Sequence, residues 1–108
     1  MTSERLYEVL KKYAESQEIQ LNKDREYVLE ILEGLLTNES RYSYRSCPCR
    51  LATGIRENDA DIICPCAYRD PDLEEYGSCY CRLYVSKEWN EEKTDHRKVP
   101  ERRRSHKL

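Results

Sequence analysis

The sequence predicts a small, mainly α-helical protein in which two N-terminal helices pack over a cysteine-rich half. Helical spacing of apolar residues is confined to the first third of the chain. All six cysteines follow it, within the 35 residues from 47 to 81. A chain of 108 residues is long enough for one domain. We expect that domain at residues 1–90, with a helical part at 1–40 and a cysteine-bearing part at 41–90, followed by a charged tail at 91–108.

The first helix is predicted over residues 4–17. Ser3 is its expected N-cap, because a serine hydroxyl can accept from a free N–H of the first turn. Its apolar residues recur at the i, i+3, i+4, i+7, i+8 spacing of an amphipathic helix, and they are Leu6, Val9, Leu10, Tyr13 and Ala14.

The second helix is predicted to begin after an N-cap at Asn22 or Asp24. Gly34 lies inside it and lowers the helix propensity only slightly. The two helices are expected to lie antiparallel over the cysteine-bearing half. The apolar stripe of the second helix is Val28, Ile31, Leu32, Leu35 and Leu36.

Beyond Arg41 the pattern breaks into short segments. The sequence GIRENDADII predicts a polar turn or a short helix. The sequence RDPDLEEYG predicts a short helix with Asp70 as N-cap, Pro71 in its first position and Gly77 as a left-handed stop. The expected packing residues after it are Leu83, Tyr84, Val85 and Trp89.

The composition leaves little apolar material for a core. Leucine, isoleucine and valine together make 20 of the 108 residues, there is no phenylalanine, and 37% of residues are charged. A chain with few apolar residues still loses as much conformational entropy on folding as an ordinary chain of its length, while it buries less apolar surface. We therefore expect the cysteines to help hold the fold.

Charge and hydropathy restrict the compartment and the partners. The N-terminal residues lack the apolar stretch of a secretory signal, and no apolar run approaches the roughly 20 residues of a membrane span. We expect a cytoplasmic protein without a membrane partner, in a compartment that keeps ordinary thiols reduced. The last twelve residues carry six lysines and arginines against one glutamate. They are interpreted as a solvated tail or a contact for an acidic protein, not as a nucleic-acid site, since the net charge is −2.

The cysteines form three Cys-x-Cys pairs, Cys47/Cys49, Cys64/Cys66 and Cys79/Cys81. Structural zinc sites usually take four ligands from Cys-x-x-Cys-like knuckles, so six thiols at this spacing favour zinc less. An iron–sulfur cluster takes four thiolates and leaves two cysteines over. The first and third pairs could each give one ligand and one free thiol, and the two free thiols could meet as a redox disulfide. A structural metal site, a plain electron carrier and a redox sensor remain alternatives.

These pairs and their surroundings resemble a known family. The motifs CPCR, CPC and CYC, the last followed shortly by LY, resemble the catalytic chain of ferredoxin:thioredoxin reductase in its compact bacterial and archaeal form. The similarity extends from LEGLL through RYSYRSCPCRLATG and IICPCAYRDPDLEEYGSCYCRLYVSKEW to VPERRR. It therefore covers nearly the whole chain.

The resemblance implies a small iron–sulfur enzyme that reduces disulfides. The implied electron donor is ferredoxin-like, and the implied substrate is a thioredoxin-like or glutaredoxin-like protein. By the same resemblance, Cys49 would attack the target disulfide after opening of a Cys49–Cys81 disulfide, while Cys81 would stay next to the cluster. The implied ligands of a 4Fe–4S cluster are Cys47, Cys64, Cys66 and Cys79.

One position departs from the family pattern. Tyr80 stands in the middle of the third pair, where the plant-type pattern has a histidine that can carry protons near neutral pH. A phenol can donate a hydrogen bond but titrates near 10, so Tyr80 is a candidate catalytic residue with an altered role. Cationic neighbours would favour an anionic cluster, and the arginines closest in sequence to the first and third pairs are Arg41, Arg45, Arg50 and Arg82.

Overall fold

The computed structural model describes residues 1–102, and it confirms a mainly helical chain whose two N-terminal helices pack over a cysteine-rich half. Among these residues, no helix combines the length and the apolar character needed to cross a membrane. In chain order the elements are α1 (Ser3–Ser16), β1 (Gln20–Leu21), α2 (Arg25–Tyr42), α3 (Arg56–Asp59), a 3₁₀ turn (Ala60–Ile62), α4 (Arg69–Tyr76), β2 (Tyr84–Val85) and α5 (Lys87–Asn90).

Side-chain caps fix the beginnings of the two long helices. The hydroxyl of Thr2 accepts from the N–H of Arg5, so Thr2 is the N-cap of α1 and the expectation of Ser3 was wrong by one residue. In α2 the N-cap is Asp24, whose carboxylate accepts from the N–H of Tyr27. Each cap satisfies an N–H that has no partner inside its helix.

The short helix α4 begins at Arg69, two residues earlier than predicted. A turn in which the N–H of Arg69 donates to the carbonyl of Cys66 runs directly into it, so Asp70 and Pro71 are its second and third residues and Asp70 is not the cap. Proline is tolerated there because N–H groups of a first helical turn have no helical acceptor. Gly77 ends the helix with a left-handed φ of 75°, as predicted.

A small sheet joins the N-terminal helices to the third cysteine pair. β1 and β2 pair antiparallel, with Gln20 opposite Val85 and Leu21 opposite Tyr84. α1 packs against α2, and the ring of Tyr13 in α1 meets the edge of the Tyr84 ring at 5.9 Å between centroids. The common core contains Leu6, Ala14, Leu21, Val28, Leu32, Leu35, Cys47, Cys79, Cys81, Leu83 and Tyr84.

Residues 91–102, called the C-terminal segment below, lie against this domain. The ring of His96 stacks on that of Trp89 with centroids 3.7 Å apart, and Val99 is buried. Arg97 donates to the backbone carbonyl of Glu75 in α4. The predicted boundary at residue 90 stays a prediction, and the last part of the predicted tail, residues 103–108, lies outside the described residues.

Candidate functional site

Three turns of one kind carry five of the six cysteines. In each turn the N–H of an arginine donates to the carbonyl of the cysteine three residues before it. Such a turn reverses the chain tightly, so that the cysteine side chain and the arginine side chain are held in one neighbourhood. The turns are Cys47–Arg50, Cys66–Arg69 and Cys79–Arg82, with N···O distances of 3.1, 3.2 and 2.9 Å.

The turns close around one small pocket. Its lining includes all four cysteines that the resemblance assigns as ligands, together with one cysteine of the assigned disulfide. Because thiolates are the protein ligands of iron–sulfur clusters, this pocket concentrates a suitable donor set. The cysteines that line it are Cys47, Cys64, Cys66, Cys79 and Cys81.

A second sulfur group lies at the outer side of the same pocket. The sulfur atoms of Cys47, Cys49 and Cys81 all lie within 4.8 Å of one another, and the sulfurs of Cys79 and Cys81 are 3.7 Å apart. Cys49 is exposed, whereas Cys47, Cys79 and Cys81 are buried. Cys81 thus belongs to both groups: it lines the pocket and lies near the exposed sulfur.

When the cysteines are free thiols, negative charge is favoured on Cys47 and Cys79. Hydrogen bonds from Cys49 and then Cys81 lower the pKa of Cys47 to about 3, although its burial opposes the shift. The same contact with Cys47 raises the pKa of Cys49 to about 11. Burial raises the pKa of Cys64 well above its usual value. A hydrogen bond from Cys81 likewise lowers the pKa of Cys79, although its burial opposes the shift. A bound metal would favour the thiolate form of the remaining sulfurs.

Cationic and hydrogen-bonding groups in the pocket wall complement such an anionic group. Arg50 and Arg69 both line it and are both 7% exposed. Nη1 of Arg50 lies 3.4 Å from the sulfur of Cys66, and the backbone N–H of Tyr84 donates to the sulfur of Cys79 at 3.3 Å. Hydrogen bonds of this kind tune the potentials of iron–sulfur clusters.

Two buried donors in the wall lack partners within residues 1–102. They are Nη2 of Arg50 and the hydroxyl of Tyr84. A buried donor without a partner is costly, so an acceptor inside the pocket would satisfy both groups. The residues present therefore fit a negatively charged, sulfur-rich group such as an iron–sulfur cluster.

Tyr80, a residue of the third turn, is half-buried and lies in the same wall. The guanidinium of Arg50 lies over its ring at 4.4 Å from the centroid, a cation–π contact. This contact fixes the ring beside the sulfur atoms.

The other three arginines expected near the cysteines do not line the pocket. Arg45 pairs with Glu39 of α2 at 3.0 Å, and Arg41 is exposed at the end of that helix. Arg82 ends the third turn with a left-handed φ of 60°. Of the four arginines named from the sequence, only Arg50 lines the pocket.

Sequence reasoning missed several residues of the site. Arg69, Tyr84 and Glu101 were not assigned to it, and neither was Tyr27, whose hydroxyl donates to the carbonyl of Cys81 at 2.5 Å. One signal was available for Arg69, since the spacing Cys-x-x-Arg recurs in all three turns. Tyr84 lies only five residues after Cys79, whose sulfur it contacts, whereas Tyr27 and Glu101 carry no local signal because their contacts to the site come from distant parts of the chain.

Comparison with known proteins identifies one family. The model of the family described as ferredoxin thioredoxin reductase catalytic beta chain matches residues 2–106. No curated protein matches the sequence significantly.

Proposed function

The chain belongs to the ferredoxin thioredoxin reductase catalytic beta chain family, and from that membership we propose that it is an iron–sulfur disulfide reductase. It takes electrons from a ferredoxin-like donor and reduces the disulfide of a thioredoxin-like or glutaredoxin-like protein in the cytoplasm. The observation that carries the proposal is the position of Cys81, which lines the metal-ligand pocket and also lies within 4.8 Å of the exposed sulfur of Cys49. That position couples a buried electron source to an accessible thiol.

The ligands of the proposed 4Fe–4S cluster are Cys47, Cys64, Cys66 and Cys79. Their support is the common pocket, the neighbouring guanidinium of Arg50 and the unpartnered donors in the wall. When bound, the cluster supplies single electrons, which a ferredoxin delivers one at a time but a disulfide requires in a pair.

The remaining two cysteines perform the disulfide exchange. With Cys47 held as a ligand, the contact that contributes most to the raised pKa of Cys49 in the free-thiol state is removed. The Cys49 thiolate then attacks one sulfur of the target disulfide, forms a mixed disulfide and releases the first target thiolate. The Cys81 thiolate then attacks the sulfur of Cys49, which forms the Cys49–Cys81 disulfide and releases the second target thiolate. Two electrons and two protons return Cys49 and Cys81 to thiols. The net reaction converts one target disulfide into two thiols.

The driving force for this transfer is adequate. A plant-type ferredoxin at about −400 mV and a thioredoxin at about −270 mV differ by about 130 mV, or roughly 6 kcal/mol for two electrons. The task of the chain is therefore to couple single-electron delivery to paired-electron chemistry. Tyr80, held under Arg50, is proposed to donate a hydrogen bond to a thiolate as it forms.

Replacement of the nucleophile tests the proposal. In Cys49→Ser, purified anaerobically, we expect iron and sulfide content equal to wild type, because Cys49 is not a proposed ligand. Reduction of a thioredoxin disulfide by reduced ferredoxin should fall to the uncatalysed background, because the exchange loses its attacking sulfur. Metal analysis and a thiol-release assay measure the two quantities.

Ala67→Ser is the matched control, since it introduces a hydroxyl beside Cys66 without removing a thiol, and it should keep both iron and turnover. Wild-type turnover in Cys49→Ser would contradict the proposed nucleophile.

A non-catalytic metal module is the alternative function. It is favoured by one observation, since the three sulfurs of Cys47, Cys49 and Cys81 are close enough to hold an ion such as zinc. In that case Cys49→Ser would lose the metal, and the wild-type protein would contain zinc without sulfide.

A further inference from the structure

The C-terminal segment ends against the wall of the cysteine pocket. The single N–H at Nε of Arg50 is shared between the two carboxylate oxygens of Glu101, at N···O distances of 2.9 and 2.7 Å. The side chain of Arg50 is only 1% exposed, whereas that of Glu101 is 33% exposed. A partly exposed residue from the tail thus holds a cation that is almost wholly inside the protein.

Arg50 divides its donors between the tail and the pocket. While Nε faces Glu101, Nη1 lies 3.4 Å from the sulfur of Cys66, and Nη2 is the buried donor without a partner within residues 1–102. The planar guanidinium holds these nitrogens in a fixed relation to one another. Fixing Nε therefore also fixes the direction in which Nη1 and Nη2 point.

Further contacts leave the guanidinium little freedom once Nε is held. Arg50 lies over the ring of Tyr80 at 4.4 Å and near that of Tyr68 at 5.1 Å from the centroids. On the tail side, Arg102 binds the carboxylates of Asp72 and Glu75 in α4 and thereby anchors the residue next to Glu101.

We propose that Glu101 is a positioning residue, which holds the Arg50 guanidinium against Cys66 and so sets the redox potential of the group that the cysteines bind. This inference rests on the proposed function, because it assumes a redox-active cluster in the pocket. Hydrogen bonds to ligand sulfur favour the reduced, more negative state of such a cluster and raise its potential. A segment that looks like a solvated tail in the sequence thereby becomes part of the redox site.

Two neutral substitutions separate positioning from charge. Glu101→Gln and Glu101→Ala both remove the carboxylate charge, but only glutamine keeps an oxygen that can accept from Nε of Arg50. The midpoint potential of each purified, cluster-loaded variant is measured by redox titration followed by visible absorbance. We expect a lower potential for Glu101→Ala than for Glu101→Gln, because the alanine variant releases the donors that face the sulfur.

The same pair in an Arg50→Met background completes a mutant cycle. There the two substitutions should give equal potentials, since the group through which Glu101 acts is absent. Glu74→Gln and Glu74→Ala, on an exposed carboxylate of α4, form the matched control pair and should leave the potential at the wild-type value.

Equal potentials for Glu101→Gln and Glu101→Ala would overturn the inference, because charge alone would then explain the effect of Glu101. A difference that persists in the Arg50→Met background would also overturn it. The titration uses no target protein, so its result is independent of disulfide turnover. If the Glu101 variants differ as expected while Cys49→Ser keeps wild-type turnover, the proposed exchange chemistry fails and the positioning role stands.

Discussion

Asp59 is a buried carboxylate that organises the loop after the first cysteine pair. It is 0% exposed and accepts hydrogen bonds from the backbone N–H groups of Thr53 and Gly54, from the Thr53 hydroxyl and from the phenol of Tyr44. Burial alone would raise the pKa of Asp59, but these hydrogen bonds together outweigh it and lower the pKa below its usual value. The phenol of Tyr44 thus helps to fix this loop.

Asp59→Asn should destabilise the protein by about 1–3 kcal/mol at neutral pH. The NH2 group of the asparagine would face N–H or O–H groups that now donate to the carboxylate, and neither side could accept. Since the folded-state pKa of Asp59 is depressed, its contribution is present above the unfolded pKa of about 3.9 and is lost as the pH falls through the folded value. The difference in unfolding free energy between wild type and variant should therefore be constant from pH 7 to about 5 and shrink below about 4. Urea unfolding across this range measures it.

The control is Glu57→Gln, which replaces an exposed carboxylate in α3 and should change the free energy of unfolding by no more than about 0.5 kcal/mol. A wild-type to Asp59→Asn difference that stayed the same at pH 3 would show that the charge of Asp59 contributes nothing.

At the scale of elements, one face of α2 aligns the first and third cysteine pairs. Tyr27 bonds the carbonyl of Cys81, and Asn38 donates to the carbonyl of Ser46 at 2.9 Å. Gly34 lies between them, where Pro48 packs against the helix. The spacings of seven and four residues put all three on one side of the helix. The pairs that supply Cys49 and Cys81 are therefore set by a single rigid element.

Gly34 lies in this face because a side chain would not fit. A Cβ there would lie 2.7 Å from Cβ of Pro48, the residue between the first two cysteines. Gly34→Ala would stabilise an isolated helix by roughly 1 kcal/mol. Here we expect a net destabilisation of about 1–3 kcal/mol and a lower iron content, because overpacking displaces the first pair. Denaturant unfolding and iron analysis check both.

The control for Gly34→Ala is Ser40→Ala, at an exposed position of the same helix, which should be neutral or slightly stabilising. Normal iron content together with raised stability in Gly34→Ala would argue against a close helix–loop contact.

At the scale of the whole molecule, the core includes sulfur where a larger domain would have more aliphatic side chains. Cys47, Cys79 and Cys81 are buried among the leucines of the two long helices. If the pocket holds the proposed cluster, metal binding would contribute to the folding free energy, because the unfolded chain offers no preformed site. The cofactor and the fold should be lost together.

Cys64→Ser removes one proposed ligand and should lower the melting temperature by about 10 °C or more, with loss of iron. Differential scanning calorimetry of the anaerobic protein measures the melting temperature. Cys49→Ser, which removes a sulfur that is not a proposed ligand, is the matched control and should melt close to wild type. An unchanged melting temperature for iron-depleted Cys64→Ser would mean that the cluster has no part in folding.

The sequence by itself determined the helical class, the two long helices, the stop at Gly77 and the family. These features depend on residues a few positions apart, on helical periodicity, left-handed glycine and the Cys-x-Cys motifs, and such local patterns survive without knowledge of the fold. The first residue of each helix was harder to predict, because several residues near a start have side chains that can cap it. Thr2 and Ser3 compete at α1 and Asp24 caps α2, whereas Asp70 has a capping side chain but lies inside α4.

Only the tertiary structure decided which groups surround the sulfur atoms. Arg50 and Glu101 are 51 positions apart, and Tyr27 and Cys81 are 54 apart. Arg50 and Arg82 both directly follow a cysteine in the sequence, yet of these two only Arg50 lines the pocket. Contacts at such separations depend on how the helices, turns and C-terminal segment pack together, and local spacing carries no information about that packing.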